Sequence, residues 1–340
     1  MKQRIALVGF GVVGQAVCDV LLKKSETLAS EQGFSCGVVA VSDLRWGTVY
    51  DPDGLDLARL LDDVREHGRF TNHAKNWDAL TMIRECGANA VAELTYTDLE
   101  TGEPAISHCR AALAAGMSVV TSNKGPPALA HRDLTALAAA NGAQFLYEGT
   151  VMSGTPVFNL WKHCLAGNEI REFRGILNGT TNYILGEMEA GTNYARALAQ
   201  AQAAGYAEAD PEADVDGHDA LAKVIILANA MMGGDFTPAD VPCEGIVGLR
   251  ADDVEQAGRE GRRYKLVGSA RREDGRIDAR VGLERLPLDD PLAAIGGVAN
   301  AITLATDLLG EVTVVGPGAG PIATGYAIVA DLLRLNDETS

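Results

Sequence analysis

The side chains best suited to chemistry lie in one segment, residues 205–223. It places a single lysine after six acidic residues: Glu208, Asp210, Glu212, Asp214, Asp216 and Asp219. The residues that follow, 221–232, are apolar enough to form a buried helix, and its capping turn falls on Gly217 with Asp216 and Asp219 beside it. On that helix Asp219 and Lys223 lie one turn apart, so the ammonium has a carboxylate partner as it loses water. We therefore predict that Lys223 transfers a proton, with Asp219 as its partner.

A simpler interpretation of the same segment is a solvated acidic loop followed by a core helix whose lysine reaches the surface. The rest of the chain favours the first interpretation. Its glycine-rich start implies a dinucleotide, and an enzyme that uses a dinucleotide needs a polar region to hold its substrate.

The glycine-rich start has the order strand, turn, helix. Residues 4–8 predict a buried strand and residues 15–24 a helix. Between them the first glycine permits a tight turn, the second lets the backbone approach a pyrophosphate, and the third lets helix and strand pack. The predicted cofactor-binding residues of this turn are Gly9, Phe10, Gly11, Val12, Val13 and Gly14.

A second predicted strand, residues 37–41, ends close to two side chains that would read the cofactor's ribose. Asp43 would accept hydrogen bonds from a ribose 2′-hydroxyl, whereas Arg45 would hold a 2′-phosphate. Because both are present, the choice between NAD and NADP stays open. Asp43 is also suited to capping a turn.

Further strands, residues 90–94 and 118–121, alternate with a helix that starts near Pro104 and stops at Gly116. This alternation predicts a parallel, doubly wound sheet, in which ligands bind beyond the carboxyl ends of the strands. Thr95 follows the first of those ends and Ser122, Asn123 and Lys124 follow the second, so all four are expected to lie beside the cofactor.

The pattern changes after a strand at 144–147. A glycine-bearing turn, 148–155, leads into a helix predicted at Pro156, and we take this turn as the hinge between two domains. Beyond it the predicted elements show no regular alternation, which indicates an α+β region with a mixed or antiparallel sheet whose open face could serve subunit association. Its predicted strands are 169–177, 264–270 and 279–286, and its predicted helices are 183–188 and, at the C-terminus, 322–335.

Composition narrows the class of partner. The formal net charge of −17 argues against nucleic acid or an anionic membrane, so a small molecule is the expected partner. Six scattered cysteines without a CxxC pair fit free thiols in a reducing cytoplasm. Since no apolar run reaches membrane-spanning length, we expect a soluble, unprocessed, cytoplasmic protein.

These motifs together resemble the homoserine dehydrogenase family, and the resemblance covers nearly the whole chain. The family interconverts L-homoserine and L-aspartate 4-semialdehyde by hydride transfer with a nicotinamide cofactor. The matching stretches are Gly-Phe-Gly-Val-Val-Gly at 9–14, Thr-Ser-Asn-Lys-Gly-Pro at 121–126, Asn-Gly-Thr-Thr-Asn-Tyr-Ile-Leu at 178–185, the acidic segment 205–223 and Gly-Pro-Gly-Ala-Gly at 316–320.

The resemblance implies an α/β fold: an N-terminal Rossmann nucleotide-binding domain, an α+β substrate and dimerisation domain, and a C-terminal segment that returns to the nucleotide domain. We accordingly expect residues 1–150 with 311–340 to form the first domain and 151–310 the second, in a homodimer. The return would explain the late glycines, among which Gly318 is expected to contact the cofactor.

Roles in the site also follow from the resemblance. Glu208 and Asp219 would anchor the substrate ammonium, and Lys223 and Lys124 would be the two lysines of the catalytic site. The further substrate contacts would be Gly179, Thr180, Tyr206 and Asp214. Acidic anchors suit a zwitterionic amino acid, and an ammonium suits the negative charge that develops on an aldehyde oxygen during hydride transfer.

The resemblance weakens at 148–156, which reads Glu-Gly-Thr-Val-Met-Ser-Gly-Thr-Pro where many family members read Glu-Ala-Thr-Val-Gly-Gly-Gly-Ile-Pro. In the family this loop holds a monovalent cation such as sodium, which would here fall to Glu148, Val151, Ser153 and Thr155. Met152 and Thr155 leave open a cofactor-dependent oxidoreductase that acts on a different amino- or hydroxy-acid.

A catalytically silent nucleotide-binding regulator is a further alternative, and retention of both lysines and their acidic partners disfavours it. A phosphorylating semialdehyde dehydrogenase is disfavoured because no cysteine lies in the candidate site stretches. Nothing in the chain resembles a fused aspartate kinase or a downstream regulatory domain, so we expect no feedback control through such a domain.

Overall fold

A computed structural model describes residues 3–337, which form two compact units. Unit 1 comprises residues 3–156 and 320–337, and unit 2 comprises residues 157–319. The domain limits predicted at 150/151 and 310/311 concern function and stay a prediction.

Unit 1 is built on a seven-stranded sheet of order β4-β3-β2-β1-β5-β6-β7. Strands β1, β2, β5, β6 and β7 run parallel. At the edge, β3 pairs antiparallel with β2, and β4 pairs antiparallel with β3. The predicted doubly wound nucleotide-binding sheet is therefore confirmed. The strands are β1 Gln3–Val8, β2 Cys36–Asp43, β3 Gly47–Tyr50, β4 Ala74–Lys75, β5 Ala90–Glu93, β6 Ser118–Thr121 and β7 Phe145–Leu146.

Helices cover this sheet, and the last of them comes from the far end of the chain. The helices of unit 1 are α1 Val12–Gln32, α2 Leu57–Asp62, α3 Ala79–Glu85, α4 Ala105–Ala114, α5 Gly125–Leu129, α6 His131–Ala140 and α12 Pro321–Asp337. Helices α1 and α12 approach so closely that a Cβ on Gly325 would lie 2.8 Å from the carbonyl carbon of Ala16. Ile328 and Leu332 on α12 are buried in the same core as β1, which confirms the predicted return of the C-terminal segment.

Unit 2 contains a five-stranded antiparallel sheet of order β10-β9-β8-β11-β12. Its strands are β8 Ile170–Ile176, β9 Arg262–Glu273, β10 Arg276–Pro287, β11 Ala299–Thr306 and β12 Glu311–Pro317. Its helices are α7 Gly179–Glu189, α8 Tyr194–Ala203, α9 Glu212–Val215, α10 His218–Met232 and α11 Ala251–Arg259.

Helix α10 packs on one face of that sheet. A Cβ on Gly268 of β9 would lie 2.5 Å from Cγ2 of Val224, so the glycine makes room for the helix. Every residue from 220 to 229 is buried, as the apolar run predicted, and Gly233 ends the helix with a left-handed φ of 70°.

Several local predictions need correction. Gly217, one of the three residues predicted to supply the N-terminal turn and cap of α10, is its N-cap with a φ of 86°; no side-chain hydrogen bond caps the helix, so Asp216 and Asp219 do not supply the cap. The helix predicted at Pro156 is present as a short segment, 158–164, in which Leu160–Cys164 is a wider π-helical turn. Strands β11 and β12 were not predicted, and part of the acidic segment is helical as α9 rather than a loop.

Within residues 3–337, no helix combines the length and the hydropathy that crossing a membrane requires.

Candidate active site

The glycine turn of unit 1 has the geometry that a dinucleotide needs. Gly9 adopts a φ of 100°, and a Cβ there would lie 2.6 Å from the carbonyl carbon of Leu94. A Cβ on Gly14 would lie 2.5 Å from the carbonyl oxygen of Gly9. Gly11, by contrast, faces open space and is the N-cap of α1, with no side chain on its orphan N–H groups. The residues present therefore fit a pyrophosphate at this helix N-terminus.

The hydrophobic members of the turn contribute in different ways. Phe10 is fully buried in the core and Val13 packs partly buried against it, whereas Val12 is 67% exposed. Phe10 and Val13 thus anchor the turn to the hydrophobic core. Any contact that Phe10 makes with a cofactor would come from its backbone.

Asp43 organises the end of β2. Its Oδ2 accepts the Phe10 backbone N–H at 2.7 Å, and its Oδ1 accepts the N–H groups of Arg45 at 2.8 Å and Trp46 at 3.2 Å. The turn-capping role is therefore present. The carboxylate also stays half-buried beside the glycine turn, where a ribose would meet it. Arg45 is exposed, and its guanidinium lies 4.4 Å from the centre of the Trp46 ring.

A polar cluster lies at the carboxyl ends of β5 and β6. Thr95 donates its hydroxyl hydrogen to the fully buried Glu93, which also lies 3.3 Å from Nδ1 of the buried His108. Asn123 ties this end to the next, because its Nδ2 donates to the Tyr96 carbonyl at 2.8 Å and its Oδ1 accepts the Gly125 N–H at 3.0 Å. Glu93 and His108 were not predicted as site residues, whereas Asn123 lies in the stretch predicted to be beside the cofactor.

The two predicted residues beyond β6 are both half-buried. Ser122 packs against Gly149, where an added Cβ would lie 3.1 Å from the serine Cβ. Lys124 is the N-cap residue of α5. The sequence predicted that both follow a strand end, and the helix that starts beside them was not predicted.

The loop at 148–155 is largely buried, and hydrogen bonds to residues of α12 hold it near both of its ends. Glu148 donates its backbone N–H to Oδ2 of the buried Asp331 at 2.9 Å, and the Ser153 hydroxyl lies 2.8 Å from that of Thr324. Ser153 has a φ of 52°, a left-handed conformation that is unusual for serine. Val151, Met152 and Thr155 are likewise buried, and the cation site predicted in this loop stays a prediction.

In unit 2, Lys223 is held by two acceptors. Its Nζ donates to Oδ2 of Asp219 at 2.7 Å and to the backbone carbonyl of Leu177 at 2.6 Å. Lys223 is only 5% exposed. The lysine that the simpler interpretation would send to the surface is therefore inside, in an ion pair with the predicted partner.

Asn178 joins this pair to Asp214. Its Nδ2 donates to Oδ1 of Asp214 at 2.7 Å and to Oδ2 of Asp219 at 3.0 Å. Its Oδ1 meanwhile accepts the Thr181 N–H at 2.9 Å and caps α7. Burial, followed by the nearby Asp219, raises the pKa of the Asp214 carboxyl, against the opposing effects of Asn178, Thr180 and Lys223. One asparagine thus holds two carboxylates close together.

Other predicted substrate residues lie around this cluster. The Thr180 hydroxyl donates to the Tyr206 carbonyl at 2.7 Å, and a Cβ on Gly179 would lie 2.6 Å from the Val298 carbonyl oxygen. Tyr206 is 45% exposed. Among the hydrogen bonds of the described residues, the exposed Glu208 takes part through its backbone carbonyl, which accepts from Gln202, and the structure does not bring its carboxylate into the Lys223 cluster.

Gly318 lies in unit 2, against the side chain of Asn300, and an added Cβ there would lie 2.1 Å from the Asn300 Cγ. The close approach that its glycine permits is therefore to a side chain of the protein. Its predicted contact with a cofactor stays a prediction.

Lys265 is a second buried lysine, which sequence reasoning missed. Its Nζ donates to Oδ1 of Asn182 at 3.0 Å and to the Ile295 carbonyl at 2.6 Å. Burial lowers the pKa of this ammonium, and Glu189 nearby opposes the shift. Lys265 lies on β9 with no acidic cluster beside it in the sequence, so no local pattern marks it.

The fold and the glycine turn define a two-domain protein of the dinucleotide-dependent dehydrogenase class. A family model described as homoserine dehydrogenase matches residues 156–333. An NAD(+)-dependent homoserine dehydrogenase of Pseudomonas canavaninivorans is 46% identical, over 100% of this chain and 97% of that protein. The chain belongs to the homoserine dehydrogenase family.

Two further relatives agree. A homoserine dehydrogenase of Methanocaldococcus jannaschii is 39% identical, over 98% of this chain and 99% of that protein. The solved structure of a hyperthermophilic archaeal homoserine dehydrogenase in complex with NADPH is similar with a TM-score of 0.85 and 30% identity, over 99% of this chain and 98% of that one.

Proposed function

We propose that this chain is an NAD(P)-dependent homoserine dehydrogenase that interconverts L-homoserine and L-aspartate 4-semialdehyde. The observation that carries the proposal is the buried Lys223, held at 2.7 Å from Asp219 within a family whose relatives are named for this reaction. NAD or NADP, when bound, supplies the acceptor or donor of the hydride.

Lys223 is the group we assign to proton transfer. In the reducing direction its ammonium gives a proton to the oxygen that becomes the homoserine hydroxyl; in the oxidising direction the neutral amine takes that proton back. Asp219 and the Leu177 carbonyl fix the position of Nζ at hydrogen-bond distance. Lys124, in unit 1, is the second lysine that the family assigns to the catalytic site, and the two roles are separated by experiment below.

Acidic groups around Lys223 suit the ammonium of an amino-acid substrate. Asp214 and Asp219 share the Asn178 amide, and burial raises the pKa of Asp214. A substrate ammonium beside Asp214 would stabilise the ionised carboxylate and so oppose the effect of burial on its pKa. Thr180, Gly179 and Tyr206 would line the same region, and Glu208 would have to turn inward to act as the anchor that the family implies.

The cofactor, cation and assembly are assigned as follows. Gly9, Gly11 and Gly14 would hold the pyrophosphate, Asp43 or Arg45 the ribose, and Thr95 and Ser122 the nicotinamide side. The 148–155 loop would hold a monovalent cation such as sodium through its backbone carbonyls. We place the enzyme in the cytoplasm as a homodimer, supported by its free cysteines and by the exposed edge of the unit 2 sheet.

The assay that tests the function follows reduced cofactor at its absorbance near 340 nm, with L-homoserine and either NAD or NADP. Oxidation should be faster at alkaline pH, because the reaction releases a proton and needs a neutral lysine. Running other amino- and hydroxy-acids beside homoserine tests the alternative that Met152 and Thr155 motivate. If homoserine gives no reduced cofactor and the semialdehyde is not reduced in reverse, the assignment is wrong.

A further inference from the structure

The Leu177 carbonyl, one residue before the cap of α7, receives two donors. Lys223 Nζ lies 2.6 Å from it, and Nδ2 of Asn300 lies 2.8 Å from it. A carbonyl oxygen has two lone pairs, so one donor on each uses its full capacity. Asn300 therefore leaves Lys223 a single direction in which to approach.

Asn300 is itself fixed from several sides. It lies on β11 and is fully buried, and its amide must present Nδ2 to Leu177 because a carbonyl can only accept. Gly318 closes the other side: an added Cβ would lie 2.1 Å from Nδ2 and 2.3 Å from Oδ1 of Asn300. Since Gly318 does not have a left-handed φ, it is space and not backbone conformation that requires glycine there.

The carboxylate of Asp219, which also accepts from Lys223, is held by an asparagine amide in the same way. Oδ2 of Asp219 accepts from Lys223 at 2.7 Å and also from Nδ2 of Asn178 at 3.0 Å. These two acceptors are thus oriented by the amides of different asparagines, Asn178 at the cap of α7 and Asn300 on β11.

Resting on the function proposed above, we propose that Asn300 is a positioning residue for Lys223 and that Gly318 is the spacer that seats it. Asn300 touches neither substrate nor cofactor in this role. It acts by holding the Leu177 carbonyl and by taking one of its lone pairs, so that Nζ is confined and the carbonyl stabilises the ammonium less than it otherwise would.

Loss of this constraint has a defined chemical consequence. Without the Asn300 donor, both lone pairs of the Leu177 oxygen become available to the ammonium, which favours the protonated lysine and raises its pKa. The freed Nζ also leaves its reactive position. Displacement of a catalytic group by about 1 Å can lower a rate on the order of 10²-fold.

The test uses the full chain with two variants that disturb Asn300 differently. Asn300→Leu keeps the volume and removes the donor; Gly318→Ala keeps the donor and displaces it. Gly258→Ala is the matched control, because Gly258 is on exposed α11 with open space around an added Cβ. Should Asn300→Leu fail to fold by circular dichroism, Asn300→Ser replaces it, since its shorter hydroxyl cannot reach Leu177.

Two measurements are made on each protein. Steady-state kinetics should show kcat for homoserine oxidation reduced on the order of 10²-fold in both variants, with KM and cofactor affinity nearly unchanged and the pH profile of kcat moved to higher pH. NMR titration of ¹³Cε-labelled lysine, with Lys223 assigned by its absence from Lys223→Met, should show a higher midpoint for Lys223. The control should match the parent protein in both.

The outcomes separate the two proposals. A normal Lys223 titration with a normal kcat in both folded variants overturns the positioning role even if the parent oxidises homoserine. A higher Lys223 midpoint in the two variants than in the parent, found together with a parent protein that does not oxidise homoserine, upholds the positioning role and rejects the substrate. A rise in KM alone, with an unchanged Lys223 midpoint, assigns Asn300 to substrate binding and also overturns the proposal.

Discussion

Lys223 and Lys124 can be distinguished by the kind of kinetic loss that each causes. Proton transfer stabilises the transition state more than the ground state, so we expect Lys223→Ala to lower kcat on the order of 10²–10⁴-fold while cofactor affinity stays nearly normal. Steady-state kinetics and fluorescence titration of the cofactor measure the two effects. Circular dichroism confirms that each variant is folded, which matters because Lys223 is buried.

Lys124→Ala, measured in parallel, is the comparison that decides the assignment. A near-normal kcat in Lys223→Ala together with a lost kcat in Lys124→Ala would move the proton-transfer role to Lys124. Glu208→Gln is expected to raise KM for homoserine, and no change in KM would show that Glu208 keeps the exposed position seen here.

We predict that the buried Lys265 makes the free energy of unfolding depend on pH. Burial lowers its pKa below the ordinary value of 10.5, so between the two values the unfolded chain binds the proton that the folded chain has lost. Stability therefore rises with pH in that window, and Lys265→Met should remove this rise. Urea unfolding at several pH values up to about 10.5 measures it. The matched control is Lys23→Met, because Lys23 is an exposed residue of α1; this variant should keep the parent protein's change of stability with pH.

Arg45 tests the choice of cofactor. If its guanidinium holds a 2′-phosphate, Arg45→Ala should weaken NADP binding by about 1.5–3 kcal/mol, the cost of a lost charge-assisted contact, and leave NAD nearly unaffected. Equal effects on both cofactors, or none, would show that Arg45 only stacks on Trp46, at the 4.4 Å distance seen here. Competitive titration of each cofactor gives the comparison.

At the scale of the element, the turn before α1 separates folding from binding. A Cβ on Gly14 would lie 2.5 Å from the Gly9 carbonyl oxygen, whereas one on Gly11 meets nothing within 4 Å. We therefore expect Gly14→Ala to lower the melting temperature, and Gly11→Ala to leave it unchanged while weakening cofactor binding, since the methyl group would occupy the space of the pyrophosphate. Thermal unfolding with and without cofactor reports both. Tight cofactor binding by Gly11→Ala would contradict the predicted phosphate site.

The elements also show where sequence reasoning reached its limit. The glycine turn, the doubly wound sheet and the buried helix with Lys223 follow from local periodicity and fixed spacing, and these predictions were confirmed. Strands β11 and β12 were missed although they pair with each other across a short turn; the position of β11 in the sheet depends on its pairing with β8, more than a hundred residues earlier, which no local pattern shows. The cap of α10 was predicted in part: Gly217 starts the helix in a left-handed conformation, and the side chains of Asp216 and Asp219 do not cap it.

The candidate site was predictable only where its residues are close together in the sequence. Asp219 and Lys223 are one turn apart on a helix, so their ion pair is visible in the sequence. Asn300 and the Leu177 carbonyl are 123 residues apart and meet only through the sheet, and a backbone carbonyl has no sequence signal at all. Lys265 and its partner Asn182 are likewise far apart in the sequence, separated by 83 residues.

For the whole molecule, the strongly acidic surface bears on how copies of the chain meet. A net charge of −17 makes two chains repel one another over the Debye length, so association has to come from a contact with few charges and with apolar surface. The outer edge of the unit 2 sheet has that character. Val315 on β12 is 51% exposed, and the turn before it exposes Leu308 at 77% and Leu309 at 61%.

We predict that this edge takes part in the homodimer. Sedimentation should give twice the chain mass of 35.7 kDa for the parent protein, and Leu309→Lys with Val315→Lys should shift it toward a single chain by placing like charges in the contact. Leu44→Lys is the matched control, because Leu44 is 94% exposed and lies in unit 1. Raising the salt concentration should tighten the parent dimer by screening the repulsion. A parent protein that sediments as one chain at every salt concentration would contradict the homodimer, and an unchanged dimer in the double variant would place the contact on another surface.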